Sequence, residues 1–398
     1  MDPLVEWLND AEIASLILAL EEGHTFKGGL SLAAYKEQES LFKELVENRK
    51  SDVPIPIPFN EITELTNEQN NQVKQAINKS IGLIVGGPGT GKTFTAAKLV
   101  EALIQANTTR FEMVFTAPTG KAAQRLKENF KGNEVQAMTL HRLLGREEVI
   151  LPYDLIIVDE ASMIDLKMML MLLKSLKKGS RLLLIGDVNQ LPPVEAGAPF
   201  QSLVSHFQVT PLKNCLRSDL FELNHLSDLV LKGKSEEAID FLSDPKREAI
   251  SLKTLSIPTD SPILTPLKKG RYGVEGLNRQ FAKRGRVPII ILENSDALNL
   301  FNGDFGYLEQ DIAVINNIQY PANILPRFDY AFSLSIHKSQ GSEFDEVHLL
   351  VPEGAERFGR KLLYTGITRA KKKLTIYSNI ELLKKVIETA SLREVGIL

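Results

Sequence analysis

The sequence predicts an α/β fold of two lobes built on parallel sheets, with a small helical N-terminal region and a short β-rich insert in the second lobe. Three observations carry this expectation. Short apolar runs rich in β-branched residues recur along the chain, each ending in a polar cluster that leads into a helix. One such stretch, Ser80 to Thr93 (SIGLIVGGPGTGKT), is dense in glycine. Beyond Phe200 the alternation of strand and helix begins again, broken by strands and turns between about Arg286 and Arg327.

Length and composition set the frame. The chain has 398 residues, and roughly 150 residues per domain suggests two or three units. We expect a helical region over 1–53, a first lobe over 59–210 and a second over 211–398, the insert lying at about 286–327. A hydrophobic content of 43% with 24% charged residues describes an ordinary globular protein. The formal net charge of -3 gives no global attraction to a polyanion, so any nucleic-acid surface has to be a local groove. Cys215 is the single cysteine, which excludes an internal disulfide and a cysteine-based zinc site. No apolar run approaches the ~20 residues of a membrane span. The acidic start, MDPLVEWLND, lacks the basic residues of a signal peptide, and a reducing cytoplasmic setting is expected.

Trp7, Leu8, Ala11, Ala14, Ile17 and Leu18 fall at helical spacing, and Lys36 to Lys50 reads as a second, more polar helix. These helices are either a cap on the main body or a docking surface for another subunit. Pro54, Pro56 and Pro58 make an extended linker. Thr66, Glu68 and Gln69 then open a helix, and the Gln69 amide has both the donor and the acceptor that an adenine edge needs.

The glycine-rich stretch begins with a buried strand, Ile81 to Val85. Gly86, Gly87, Pro88, Gly89, Thr90 and Gly91 then turn the backbone so that its N–H groups face inward, and Lys92 and Thr93 open a helix. Strand, loop and helix together satisfy G-x-x-x-x-G-K-T in its required context. Such a loop binds a nucleoside triphosphate: its amides cradle the β-phosphate, Lys92 bridges β and γ oxygens, and Thr93 ligates Mg²⁺.

Later elements add chemistry at the same rim. The strand Glu112 to Thr116 ends in APTGKAAQRL, which places Thr116, Thr119 and Lys121 at a strand tip and a helix start. Thr139, His141 and Arg142 form another polar break. The strand Asp154 to Val158 ends in Asp159 and Glu160, the first suited to holding Mg²⁺ in its outer shell and the second to orienting and deprotonating the attacking water. The strand Arg181 to Ile185 delivers Gln190, able to bond a γ-phosphate and report its loss. In the second half, Arg217 precedes a helix, and the strand Pro262 to Thr265 leads into Lys268, Lys269 and Arg271. Asn302, Gly303 and Asp304 read as a hairpin turn. The last unit contains AFSLSIHKSQGSEF, the strand EVHLLV and LLYTGITRAKKKLTIY. There Arg369 is expected near a helix end, with Lys371 to Lys373 as its solvated cap.

GGPGTGKT, TAPTGKAAQRL, TLHRLLG, VDEASMIDL, GDVNQLPPVEAG, FNGDFGY, HKSQGSEF and LLYTGITRA, in this order, resemble the motifs of superfamily 1 helicases. Their variants resemble most closely the RecD family, the alpha subunits of exodeoxyribonuclease V. The resemblance spans roughly Thr66 to Ser378. It implies two RecA-like lobes with ATP and Mg²⁺ bound between them. Lobe one would supply Gln69, Lys92, Thr93, Asp159, Glu160 and Gln190. Lobe two would supply Gln340, Gly341 and Glu343, with Arg217 and Arg369 as arginine fingers. Thr116, Pro118, Thr119, Lys121, His141, Thr265, Pro266, His337, Lys338 and Ser339 match positions that track single-stranded DNA in that family. By the same resemblance, movement runs 5′ to 3′ and the role is double-strand-break repair by recombination. The partners would be beta and gamma subunits, with nuclease chemistry on the beta subunit.

Three departures from the family stand out. Only GREEVILPYD separates TLHRLL from LIIVDE, where the family inserts a strand-splitting pin, so the wedge is vestigial, supplied by a partner or absent. The N-terminal region and the β-rich insert are both short for the family. A stand-alone helicase without partners, and a structural P-loop subunit with little translocation of its own, stay open as alternatives.

Overall fold

Alternation of buried side chains on each strand sorts the first half of the chain into a sheet covered on both faces. The computed structural model describes residues 32–52, 60–105, 112–123, 136–145, 149–193, 195, 197–213, 221–258, 262–281 and 285–390. Arg217, the helix expected around Trp7 to Leu18 and the proline linker lie outside the described residues. The first sheet contains β1 (Ile81–Val85), β2 (Met113–Ala117), β3 (Gln136–Thr139), β4 (Leu155–Val158) and β5 (Arg181–Gly186). Its order is β1-β5-β4-β2-β3, with every pair parallel.

Among the described residues, the helices that flank it are α1 (Leu32–Ser51), α2 (Asn67–Ile77), α3 (Lys92–Gln105), α4 (Leu140–Leu144), α5 (Leu166–Ser175) and α6 (Pro199–His206). Leu83, Ile156 and Leu184 face a core shared with α1 and α5, whereas Ile84, Ile157 and Ile185 face α2 and α3. Helix α1 is part of that first core: Phe42 and Val46 are fully buried in it. Arg49 of α1 donates to the carbonyls of Leu176 and Lys177. The described apolar residues of α1 therefore pack within this lobe.

The second half begins with α7 (Phe221–Leu231) and α8 (Ser235–Ser243), followed by β6 (Ile250–Lys253), β7 (Ile263–Thr265) and α9 (Val274–Phe281). An antiparallel insert comes next: β8 (Arg286–Ile291), β9 (Phe305–Glu309), β10 (Ile312–Ile315), β11 (Ile318–Pro321) and β12 (Phe328–Tyr330). Its order is β11-β10-β9-β8-β12. The chain then completes a parallel sheet with β13 (Ser333–Ser335), β14 (Phe344–Val351), α10 (Gly359–Ile367), β15 (Ala370–Ser378) and α11 (Ile380–Glu388). The order of this third sheet is β13-β7-β14-β15-β6.

Two local expectations need correction. Lys371 to Lys373 do not cap a helix; α10 stops at Ile367, and the lysines lie on β15, where Lys371 and Lys372 pair with Asp345. The Asn302–Asp304 turn is tight, with the Asp304 N–H donating to the Phe301 carbonyl, but it ends a longer connection between β8 and β9 that includes a 3₁₀ turn at Asp296–Leu298.

Among the described residues, no helix is long and apolar enough to cross a membrane.

Candidate active site

The glycine loop is shaped by crowding as much as by flexibility. A Cβ on Gly86 would sit 2.6 Å from the Thr90 hydroxyl oxygen and 2.9 Å from Leu212 Cβ, so only glycine fits as the chain leaves β1. Gly89 and Gly91 take left-handed φ values of 72° and 76°, which curl successive amides into an anion-binding concavity. The Thr90 hydroxyl and the Lys92 ammonium both donate to the Gly87 carbonyl, at 2.8 and 2.7 Å. Lys92 thus lies folded along the loop it serves, at the start of α3.

At the tip of β4 the acids take their places. Thr93 Oγ1 donates to Asp159 Oδ2 at 2.8 Å, and Asp159 Oδ1 accepts the Glu160 N–H at 2.8 Å. A hydroxyl and a carboxylate oxygen meeting at a helix start are the hard donors that Mg²⁺ takes from protein, leaving its other positions to phosphate and water. The donor set fits the ion. Among the described residues there is no cluster of three or more His, Cys, Asp or Glu that would hold a metal by protein ligands alone. Glu160 has φ 52°, a left-handed conformation that costs a non-glycine residue strain. Burial first, and the Asp159 charge next, push its carboxyl above the usual carboxylate range; Arg369 and Lys92 pull it back, and Glu343 pushes it further up. The second lobe therefore brings Arg369 and Glu343 within electrostatic reach of Glu160.

Arg369, only 3% exposed, is held by its own lobe. Its Nε donates to the Thr365 carbonyl, Nη1 to the Ser342 carbonyl and Nη2 to the Thr368 hydroxyl. Pro88 and Gly89 of the loop face Glu343, Thr368 and Lys371 across a crevice of about 10 Å³. The two lobes are in contact at the loop itself.

Other expected nucleotide contacts are placed as follows. Gln190 is buried in the loop after β5, and its Oε1 has no hydrogen-bond partner among the described residues. Gln340 Nε2 donates to the Leu191 carbonyl, so it touches the loop that carries Gln190. Gly341, at φ 71°, lies beside Thr119 of the first lobe. Gln69 is buried, its Oε1 accepting from the Thr66 N–H and its Nε2 donating to the Thr90 carbonyl at 3.0 Å. As placed, its amide braces the glycine loop from behind instead of facing a base.

The residues expected along a DNA strand divide in two. Thr119, Lys121 and His337 are half-buried, Pro118 likewise, and His141 and Lys338 are exposed. Thr116, Thr265 and Ser339 are fully buried, as is Pro266 for the most part, and as placed they offer no surface to a strand. Thr265 Oγ1 donates to the Tyr272 carbonyl and Ser339 Oγ to that of Ile336, so these hydroxyls shape the loops from beneath. Above Thr119 and Lys121 sits the turn of the insert: a Cβ on Gly120 would meet Phe301 Cβ at 2.5 Å, and Gly303 lies near Lys121 Cβ.

Sequence reasoning missed one constellation between the lobes. Tyr364 of α10 donates to Asp187 Oδ2 at 2.6 Å, with both residues buried. The Leu191 N–H donates to Thr365 Oγ1 at 3.0 Å. Burial and the Asp187 carboxylate hold the Tyr364 hydroxyl well above the ordinary phenol range, so it stays a donor. Asp187 stands in GDVNQ and Tyr364 in LLYTGITRA, but nothing in either string says that the two meet.

Residues 64–250 match the model of the AAA domain and 330–377 that of the UvrD-like helicase C-terminal domain. The chain is 30% identical over 410 residues to the RecBCD enzyme subunit RecD of Mycolicibacterium smegmatis, covering 83% of this chain and 74% of that protein. It is also 30% identical over 411 residues to the ATP-dependent RecD2 DNA helicase of Deinococcus radiodurans, covering 91% of this chain and 57% of that one. In fold it is similar to a Pif1 helicase from Bacteroides solved with ADP-AlF3 and ssDNA, with a TM-score of 0.55 at 19% identity over 82% of this chain and 95% of that one.

Proposed function

The chain belongs to the RecD family, and from that premise we propose that this ATP-dependent DNA helicase is a motor that walks 5′ to 3′ along single-stranded DNA. The observation that carries the reading is the approach of the second lobe to the glycine loop: Arg369 and Glu343 act electrostatically on Glu160, and Glu343 and Thr368 line one crevice with Pro88 and Gly89. Hydrolysis in such a cleft depends on both lobes at once.

On binding ATP, Lys92 would exchange the Gly87 carbonyl for β and γ oxygens, and the loop amides would take the β-phosphate. Thr93 and Asp159 would hold Mg²⁺, which neutralises charge on the phosphate oxygens when bound. Glu160 would orient the attacking water and accept its proton. Arg369 would leave the Thr365 and Ser342 carbonyls to meet charge developing on the γ-phosphoryl, an effect worth about 10³- to 10⁵-fold in rate in other phosphoryl-transfer enzymes. Arg217 is proposed as a second finger. Loss of the γ-phosphate would free Arg369 and Gln190 together and let the lobes part. Each cycle thus shifts one lobe along the strand, because ATP binds the closed and open states with different affinity. Lys121, His141, His337 and Lys338 would hold phosphates without reading sequence.

The likeness to proteins named as RecD subunits supports a role as the alpha subunit of exodeoxyribonuclease V, beside beta and gamma subunits, in a cytoplasmic repair pathway. The likeness to a protein named as an ATP-dependent DNA helicase, with no subunit in its name, is equally met by a stand-alone helicase. Unwinding assays on the purified chain separate these: a 5′-tailed duplex opened by the chain alone favours the stand-alone form. Opening of 3′-tailed but not 5′-tailed duplex would refute the polarity. One observation favours a structural P-loop subunit: α4 ends at Leu144 and β4 starts at Leu155, which leaves little chain for a strand-splitting wedge. That reading requires an ATPase indifferent to DNA.

A further inference from the structure

The loop after β5 belongs to one lobe by sequence and to the other by packing. Leu191 is buried in the core of the second lobe, among Leu223, Leu363 and Tyr364. Its N–H donates to Thr365 Oγ1 and its carbonyl accepts from Gln340, so the backbone is held from two sides. At the other end of the loop, Asp187 Oδ1 accepts the Asn189 N–H at 2.9 Å, which leaves Oδ2 for the Tyr364 hydroxyl at 2.6 Å. Asp187 is 1% exposed and Tyr364 2%, so this bond is made away from water. A Cβ on Gly87 would stand 3.5 Å from the same hydroxyl oxygen. Tyr364 therefore lies beside the glycine loop while holding the Gln190 loop, and it rides on the segment that ends in Arg369.

We propose that Tyr364 is a positioning residue for ATP hydrolysis: its hydrogen bond to Asp187 fixes the 187–191 loop to the second lobe, so that Gln190 and Arg369 reach the γ-phosphate as one unit. The proposal rests on the ATP-hydrolysing cleft described above and adds the bond that sets its register. A buried hydroxyl facing a buried carboxylate is a strong, short-range constraint, since Asp187 has no water to turn to if Tyr364 moves away. Removing the hydroxyl leaves a buried charge without its partner and lets the loop shift relative to α10. The cost should fall on turnover, because Lys92 and the loop amides that bind nucleotide lie in one lobe and keep their own contacts.

The test compares the full chain with Tyr364→Phe and with Tyr364→Phe/Asp187→Asn. The readouts are kcat and KM for ATP in saturating single-stranded DNA, affinity for a fluorescent ADP analogue, and melting temperature. Tyr364→Phe should lower kcat by about tenfold or more while ADP affinity and KM change by less than about threefold. The double variant removes the buried charge along with the hydroxyl, so it should melt close to the wild-type chain and still show the kcat loss. That pairing separates positioning from folding and gives the answer even where the single variant is unstable. A Tyr364→Phe chain with wild-type kcat overturns the proposal, as does a double variant whose recovered stability brings full kcat with it. A wild-type chain that hydrolyses no ATP overturns both the cleft reading and this one, whereas active wild type with unaffected variants sinks only the positioning role.

Discussion

In the proposed mechanism Lys92, Glu160 and Arg369 divide the chemistry of one phosphoryl transfer among three backbone settings. Lys92 opens a helix, Glu160 sits strained at a strand tip with φ 52°, and Arg369 follows the end of α10. Lys92→Ala should abolish ATP turnover, since among the described residues Lys92 is the cation whose ammonium lies on the loop carbonyl of Gly87. Arg369→Ala should keep nucleotide binding and lose turnover by about 10³-fold or more. Equilibrium binding of an ADP analogue beside steady-state phosphate release checks both; normal release by the Arg369 variant would end the finger assignment. Lys92 and Glu160 were legible in the string because their setting is local: spacing alone puts Gly86 to Thr93 on a loop and a helix start after the strand Ile81–Val85, whereas Arg369 was assigned by the family resemblance. Thr116, Thr265 and Ser339 were not, since a polar type does not say whether a side chain at a strand's end points to solvent or into the lobe. Asp187 and Tyr364 escaped for another reason. Their hydrogen bond exists only where two distant segments meet, and no period or spacing encodes it.

Elements are held in place by close approaches that single atoms would break. Gly82 of β1 lies against the C-terminal turn of α2, where an added Cβ would meet the Ala76 carbonyl oxygen at 2.5 Å. Gly82→Ala should therefore destabilise the first lobe by about 1 to 3 kcal/mol through overpacking, read as a lower denaturation midpoint. An unchanged midpoint would mean that α2 does not pack on β1 as described. Most strands could be anticipated from their apolar runs, because a parallel sheet buried on both faces demands them. Strand β3 could not: its pattern, Gln136 to Thr139, is exposed and polar at one end, as befits the edge of a sheet. The lysines 371–373 misled for a related reason. A run of charge reads as a solvated turn, yet on β15 they line the exposed start of a strand opposite Asp345.

At the scale of the whole molecule, two parallel sheets and an antiparallel insert meet around one cleft. The insert reaches back to the first lobe, where Phe301 packs on Gly120 beside Lys121, so the proposed DNA path and the lobe contact share residues. Gly120→Ala should push that turn away and raise hydrogen exchange over Phe301 to Asp304 while leaving the glycine loop unaffected; unchanged exchange would place the insert elsewhere. Which sheet order and which lobe contacts result is a matter of long-range packing, and there the sequence offered only the count of strand-and-helix units. The central claim is that ATP hydrolysis between the lobes is coupled to a strand lying across both. Its most direct test is the steady-state ATPase rate of the purified chain with and without single-stranded DNA. Strong stimulation by DNA, lost in Lys92→Ala, is the predicted result; equal rates in both conditions would contradict the account.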